Sequence, residues 1–127
     1  FLAFLSGAGI KTAVASGSAR YVVQKYITMA ELETYFPVMI GGGDFSQPKP
    51  SPECFLKAAN RLVVAPENCL VLEDSGRGLE AAYRAGMHAI WVPDLDLPPK
   101  QIIAKVDAVC NSLADVIAWI EAQNNIS

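Results

Sequence analysis

A short apolar run that ends in two adjacent acids most strongly limits what this chain can fold into. The run is Leu70–Leu72, the acids are Glu73 and Asp74, and a serine, two glycines and a helical pattern follow. A strand leading into a helix is the unit of an open α/β sheet, in which ligands bind outside the carboxyl ends of the strands. Acids at that position can hold a divalent cation, or they can be a solvated loop that caps the helix.

The same alternation of short apolar runs and helix-length segments recurs along the chain. Strands are predicted at residues 12–15, 38–40, 70–72, 89–92 and 108–110. Strands that are continuously apolar and separated by helical segments favour a mainly parallel sheet with helices on both faces. No linker or internal repeat is visible, so the sequence predicts a single α/β domain over residues 1–127 with a Rossmann-like, doubly wound sheet.

Capping residues mark several helix ends. Ser51 is predicted as an N-cap with Pro52 at the first helical position, and Ser112 with Asp115 resembles a capping box. The segment 16–18 is predicted to turn into a helix. The inward face of that helix is predicted to carry Val22, Val23, Tyr26 and Ile27.

Composition excludes several classes of function. The chain has 127 residues and a formal net charge of -3, which gives no electrostatic footprint for nucleic acid or an anionic membrane. The apolar start has no basic residue before Lys11 and is shorter than the roughly 20 residues of a membrane span. Cys54, Cys69 and Cys110 form no CxxC pair and are predicted to be buried free thiols. We therefore expect a cytoplasmic protein that binds neither nucleic acid nor a membrane.

Polar groups follow three predicted strands in turn. Ser16 and Gly17 end the first, Lys49 lies between two prolines after the second, and Glu73 with Asp74 ends the third. Separately, Ser16 can be a helix cap and Lys49 a solvated loop charge. Together they are the parts of a phosphoryl site, in which the hydroxyl and the lysine hold phosphate oxygens and the carboxylates hold Mg²⁺.

Three segments resemble motifs of the haloacid dehalogenase-like hydrolases, and most closely the branch of β-phosphoglucomutase and small sugar-phosphate phosphatases. They are residues 13–18, 49–52 and 73–87. The resemblance extends over nearly the whole chain. It implies a Mg²⁺-dependent phosphatase or phosphomutase that acts on small phosphorylated metabolites through an aspartyl-phosphate.

The resemblance also implies a role for each site residue. Ser16 and the Gly17 amide would bind the phosphoryl group, and Lys49 would bridge the phosphate and the nucleophile. Glu73 and Asp74 would complete the Mg²⁺ site.

The chain departs from the family in its first motif. Members begin with a strand that ends in Asp-x-Asp-Gly and carries the nucleophile, and no such strand is visible here. The one Asp-x-Asp, at Asp94 and Asp96, lacks the following glycine and is interpreted as a loop. The family's helical cap is also missing. We expect the chain to be the C-terminal part of a longer protein, inactive by itself, whose sheet needs that strand or another chain to be complete.

Other interpretations remain open. Receiver-like phosphoacceptor modules also combine acids, a hydroxyl and a Lys-Pro pair, although in the reverse chain order. An inactive interaction partner is a third possibility. Arg20 and Arg77 are predicted to be solvated, with substrate contact as the alternative, and His88 and Trp91 are predicted to be structural.

Overall fold

The structure is a computed structural model that describes residues 1–93 and 100–124 and alternates strands with helices. The elements are α1 (Leu2–Gly7), β1 (Ala13–Ala19), α2 (Arg20–Met29), β2 (Val38–Gly42), α3 (Glu53–Leu62), β3 (Leu70–Glu73), α4 (Gly76–Arg84), β4 (His88–Trp91), α5 (Lys100–Ile103), β5 (Ala108–Val109) and α6 (Leu113–Asn124). Short 3-10 helices at Glu33–Tyr35 and Pro66–Asn68 precede β2 and β3. All five predicted strands are present, and the α/β class is confirmed.

The strands form two separate parallel sheets. In one sheet β1 pairs with β2, with Ala13 opposite Val38. In the other β4 lies between β3 and β5, with Glu73 opposite Trp91. Within the described ranges no strand joins β1 to β3, so each of them has one edge without a strand partner. The expectation that a central strand of the sheet lies outside these residues stays a prediction.

Two hydrophobic clusters hold the layers together. The larger one joins Ile40 of β2 to Val71 of β3 and to Leu79 of α4, so the two sheets share one core beneath α3 and α4. The smaller one packs Leu5 of α1 and Val116 of α6 against the opposite face of β4. Helices therefore cover both faces of the strands, as the doubly wound prediction requires.

Two local predictions are wrong. The side chain of Tyr26 is 65% exposed, because only Val23 of α2 is buried against the neighbouring strands. Helix α3 begins at Glu53 with Pro52 as its N-cap, since Ser51 belongs to a turn in which its N–H donates to the Pro48 carbonyl at 2.9 Å. Ser51 Oγ still accepts from the Glu53 N–H at 3.3 Å.

Several structural predictions are confirmed. Trp91 is buried and His88 begins β4. Cys54 and Cys110 are buried free thiols, and burial raises the pKa of each. Cys69 is only half-buried, although burial raises the pKa of its thiol as well.

Two further points concern the rest of the chain. No helix within residues 1–93 and 100–124 combines the length and the apolar character needed to cross a membrane. The Asp-x-Asp at Asp94 and Asp96 lies outside the described residues.

Candidate active site

The ion pair between Lys49 and Glu73 links the two sheets at their carboxyl ends. The distance from Lys49 Nζ to Glu73 Oε2 is 3.0 Å, and the two side chains are 21% and 12% exposed. The same ammonium lies 3.4 Å from the carbonyl oxygen of Ala15 on β1 and 4.8 Å from the centre of the Phe55 ring. Lys49 therefore spans the interval between the open edges of β1 and β3.

Glu73 is held in place by the beginning of α4. Its Oε1 accepts from the Asp74 N–H at 3.3 Å and from the Ser75 hydroxyl at 3.2 Å. Ser75 Oγ in turn accepts from the Gly78 N–H at 3.0 Å, which caps the helix. A Cβ at Gly78 would lie 2.0 Å from Cδ of Glu73, so the carboxylate can occupy this position only above a glycine.

Asp74 differs from Glu73 in having an unengaged carboxylate. The residue is exposed, and its side chain has no hydrogen bond or ion pair within the part of the chain that the structure describes. It borders a shallow cavity of about 260 Å³ that is otherwise walled largely by apolar side chains, including Leu72 and Val92. Asp74 is thus free to bind a cation.

Ser16 and Gly17 lie in a bulge of β1. Ala15 pairs with Ile40 and Ala19 with Gly42, so residues 16–18 stand opposite the single residue Gly41. The Ser18 N–H donates to Ser16 Oγ at 3.1 Å, which leaves the hydroxyl proton available as a donor. The predicted helix follows, since α2 begins at Arg20, but the bulge extends β1 to Ala19, beyond the predicted strand end at residue 15.

Gly41 allows this bulge to pack. A Cβ at Gly41 would lie 2.6 Å from Cα of Arg20, which is backbone that cannot move aside. The Gly41 N–H donates to Asp44 Oδ2 at 2.9 Å and, as the main cause, holds the pKa of that carboxyl below its usual value. Arg20 is exposed, as predicted, with Nη1 3.7 Å from Asp44 Oδ1.

The loop that leads to Lys49 is fixed by Glu53 of α3. The Glu53 carboxylate accepts from the Ser46 N–H at 2.7 Å, from the Ser46 hydroxyl at 2.9 Å and from the Gln47 N–H at 3.3 Å. The Ser46 N–H is the main cause that lowers the pKa of Glu53. Asp44 and Glu53 thus hold the two ends of this loop. Sequence reasoning missed both, because the loop residues that they bind are identified only in the folded structure.

Arg77 makes a contact that sequence reasoning did not predict. It is exposed, as predicted, but its guanidinium is not free. Nε and Nη2 both donate to the Lys49 carbonyl oxygen, at 3.2 Å and 2.7 Å. No local pattern could have indicated a contact between residues 28 positions apart.

The donor set fits part of a Mg²⁺ site. Carboxylate oxygens are the hard ligands that Mg²⁺ prefers, and Asp74 offers one carboxylate while Glu73 offers Oε1 beside it. Within residues 1–93 and 100–124 there is no group of three or more acids, histidines or cysteines that could hold a metal ion. Since Mg²⁺ takes about six oxygen ligands, the remaining ones would come from water, substrate or other protein groups.

The family profile and the similar proteins all indicate the same family. The sequence profile of the haloacid dehalogenase-like hydrolases matches residues 1–92. Over 111 residues, 85% of this chain and 28% of the relative, the chain is 41% identical to a bifunctional riboflavin kinase/FMN phosphatase of Arabidopsis thaliana. Over 90 residues, 71% of this chain and 42% of the relative, it is 38% identical to a phosphorylated carbohydrates phosphatase of Thermotoga maritima.

Solved structures agree with the sequence comparison. The fold is similar to a β-phosphoglucomutase of Clostridium difficile, with a TM-score of 0.81 and 25% identity, over 98% of this chain and 53% of the other. The chain thus spans well under two thirds of the length of each of these three proteins.

Proposed function

The chain belongs to the haloacid dehalogenase-like hydrolases, and on that basis we propose that it forms part of the active site of a Mg²⁺-dependent phosphatase or phosphomutase. The substrate would be a small phosphorylated metabolite such as a sugar phosphate. Support comes from two of the similar proteins, one a phosphatase of phosphorylated carbohydrates and the other a β-phosphoglucomutase. The free thiols Cys54 and Cys110 support a reducing, cytoplasmic setting.

The position of Lys49 is the observation that carries this proposal. The Lys49 side chain is only 21% exposed, so its charge acts in a medium less polar than bulk water. A phosphoryl group at the carboxyl ends of β1 and β3 would meet this ammonium together with the Ser16 hydroxyl and the Gly17 amide. These donors are fixed before substrate arrives, which is how enzymes stabilise charge that develops during phosphoryl transfer.

The nucleophile would come from a strand that lies between β1 and β3. An aspartate at its carboxyl end would form the aspartyl-phosphate, and that residue would lie outside these 127 residues. The open edges of both strands support this arrangement, because a parallel strand inserted there would pair with each of them. A further segment of the polypeptide or another chain would supply it.

The acids at the end of β3 would serve the metal. When bound, Mg²⁺ would neutralise charge on the phosphoryl oxygens. Asp74 would be a direct ligand, because its exposed carboxylate has no hydrogen bond or ion pair among the residues that the structure describes. Glu73 would hold the Lys49 ammonium in place through the 3.0 Å contact and present its second oxygen to the metal or its water.

A substitution at Asp74 tests the proposal. The polypeptide that contains these residues and the completing strand is assayed for phosphate release from a panel of sugar phosphates, with Mg²⁺ or with EDTA. Asp74→Asn should lower the Mg²⁺-dependent turnover about 100-fold or more. Loss of a residue that only hydrogen-bonds a metal ligand already lowers activity about 10- to 100-fold. Glu67→Gln is the matched control, because Glu67 is an exposed acid before the start of β3.

The possible outcomes separate the alternatives. Near-normal turnover by Asp74→Asn, or activity that EDTA leaves unchanged, would contradict the proposed metal site. If instead the 127-residue chain alone takes up phosphate from acetyl phosphate, it is a phosphoacceptor module and not half of a hydrolase.

A further inference from the structure

We propose that Arg77 is a positioning residue that aims the Lys49 ammonium by fixing the backbone of Lys49. The inference deepens the proposed function and rests on it for the role of Lys49. The geometry that supports it is independent of the reaction.

The backbone around Lys49 needs an external partner. The Ser51 N–H donates to the Pro48 carbonyl at 2.9 Å, which closes a turn with Lys49 and Pro50 in its middle. The Lys49 carbonyl takes no part in the hydrogen bond that closes this turn. The guanidinium of Arg77 supplies the missing partner through two donors, at 3.2 Å and 2.7 Å.

Both ends of Lys49 are therefore bound to one rigid unit. Its side chain contacts Glu73, the last residue of β3, and its carbonyl contacts Arg77 in the first turn of α4. Ser75 links these two points, since its hydroxyl bonds Glu73 and caps α4. The four-carbon stem of a lysine is flexible, and fixing its backbone removes the movement of Cα from the freedom that the ammonium would otherwise have.

A lysine at position 77 could not do the same. The guanidinium is a planar fork whose N–H groups have fixed directions, so two of them can converge on one carbonyl oxygen. An ammonium on a flexible stem would form at best one such bond, and an amide such as glutamine would lack the charge. The substitution Arg77→Lys therefore tests whether two converging N–H donors are needed, because it keeps the positive charge.

The experiment measures Lys49 directly and needs no substrate. The protein is treated briefly with acetic anhydride, and mass spectrometry gives the acetylation rate of Lys49 divided by that of Lys25, an exposed lysine of α2. An ammonium held against a carboxylate reacts more slowly than a free one, so Arg77→Gln and Arg77→Lys should both raise this ratio roughly three- to tenfold.

Arg84→Gln is the matched control, because Arg84 is an exposed arginine on the same helix that is paired with Glu80 at 3.1 Å. It should leave the ratio unchanged. An unchanged ratio in either Arg77 variant overturns the proposal, and so does a rise that Arg84→Gln reproduces. General unfolding raises both rates and is not counted as support. Because labelling does not depend on turnover, a failed phosphatase assay would leave this result standing.

Discussion

The substitution Gly78→Ala offers the sharpest test of how this site is built. Alanine normally stabilises a helix interior relative to glycine by about 1 kcal/mol. Here the added Cβ would lie 2.0 Å from Cδ and 2.3 Å from Cγ of Glu73. Overlap with Cγ cannot be relieved by turning the carboxylate alone, so the whole side chain of Glu73 must move away from Lys49.

The magnitude follows from the bond that this movement breaks. A hydrogen bond to a charged group contributes about 1.5–3 kcal/mol to stability, and the contact from Lys49 Nζ to Glu73 Oε2 at 3.0 Å is only partly exposed to solvent. After the helix gain of about 1 kcal/mol is subtracted, Gly78→Ala should destabilise the protein by about 0.5–2 kcal/mol.

A double-mutant cycle separates these two effects. In a Glu73→Ala background the overlap is gone, and Gly78→Ala should then stabilise the protein by about 1 kcal/mol. Urea unfolding followed by circular dichroism gives the free energy of unfolding for all four proteins. Destabilisation of the same size in both backgrounds would refute the reasoning, because it would mean that Glu73 is not what occupies the space above Gly78.

Three further predictions follow from the same contacts. Lys49→Ala should weaken binding of inorganic phosphate, measured by calorimetry, roughly tenfold or more, and an unchanged affinity or an equal loss in Lys25→Ala would contradict this. Gly41→Ala should destabilise the protein by about 1–3 kcal/mol in urea, because the new Cβ meets the backbone at the start of α2; a neutral result would contradict that packing. The pKa of Glu53 is lowered from 4.5, so its contribution to stability is present above that pH and lost as pH falls through the folded value. In Glu53→Gln the free energy of unfolding should fall less steeply as the pH is lowered below 4.5. The same pH dependence in the variant would show that Glu53 contributes little.

The strands could be predicted from local sequence, and so could the order in which the site residues follow them along the chain. Apolar runs such as 70–72 determine a buried strand without reference to the rest of the chain. Carboxyl ends of parallel strands share one edge, so the proximity of Lys49 and Glu73 followed from chain order once the strands were placed.

The bulge at 16–18 could not be predicted in the same way. Its shape depends on Gly41, which leaves room for the backbone of Arg20 only after β1 and β2 have paired. Nothing within residues 16–18 indicates that these three residues of β1 will lie opposite the single residue Gly41 of β2. The exposure of Tyr26 has a similar origin. Packing against the neighbouring strands, and not the periodicity of the helix sequence, determines which face of α2 is buried.

The split between the sheets links the site to the strand that we propose to complete it. Ile40 and Val71 belong to one core, so side-chain packing holds the two halves together although their backbone edges stay open. At the carboxyl end of that opening the Lys49 ammonium already has a carbonyl on one side and a carboxylate on the other. A strand that paired with both edges would end beside this ammonium, and an acid there would gain a partner without further rearrangement. Lys49 would then balance the charge of two carboxylates and a phosphoryl group, which is a reason for its backbone to be held as firmly as its side chain.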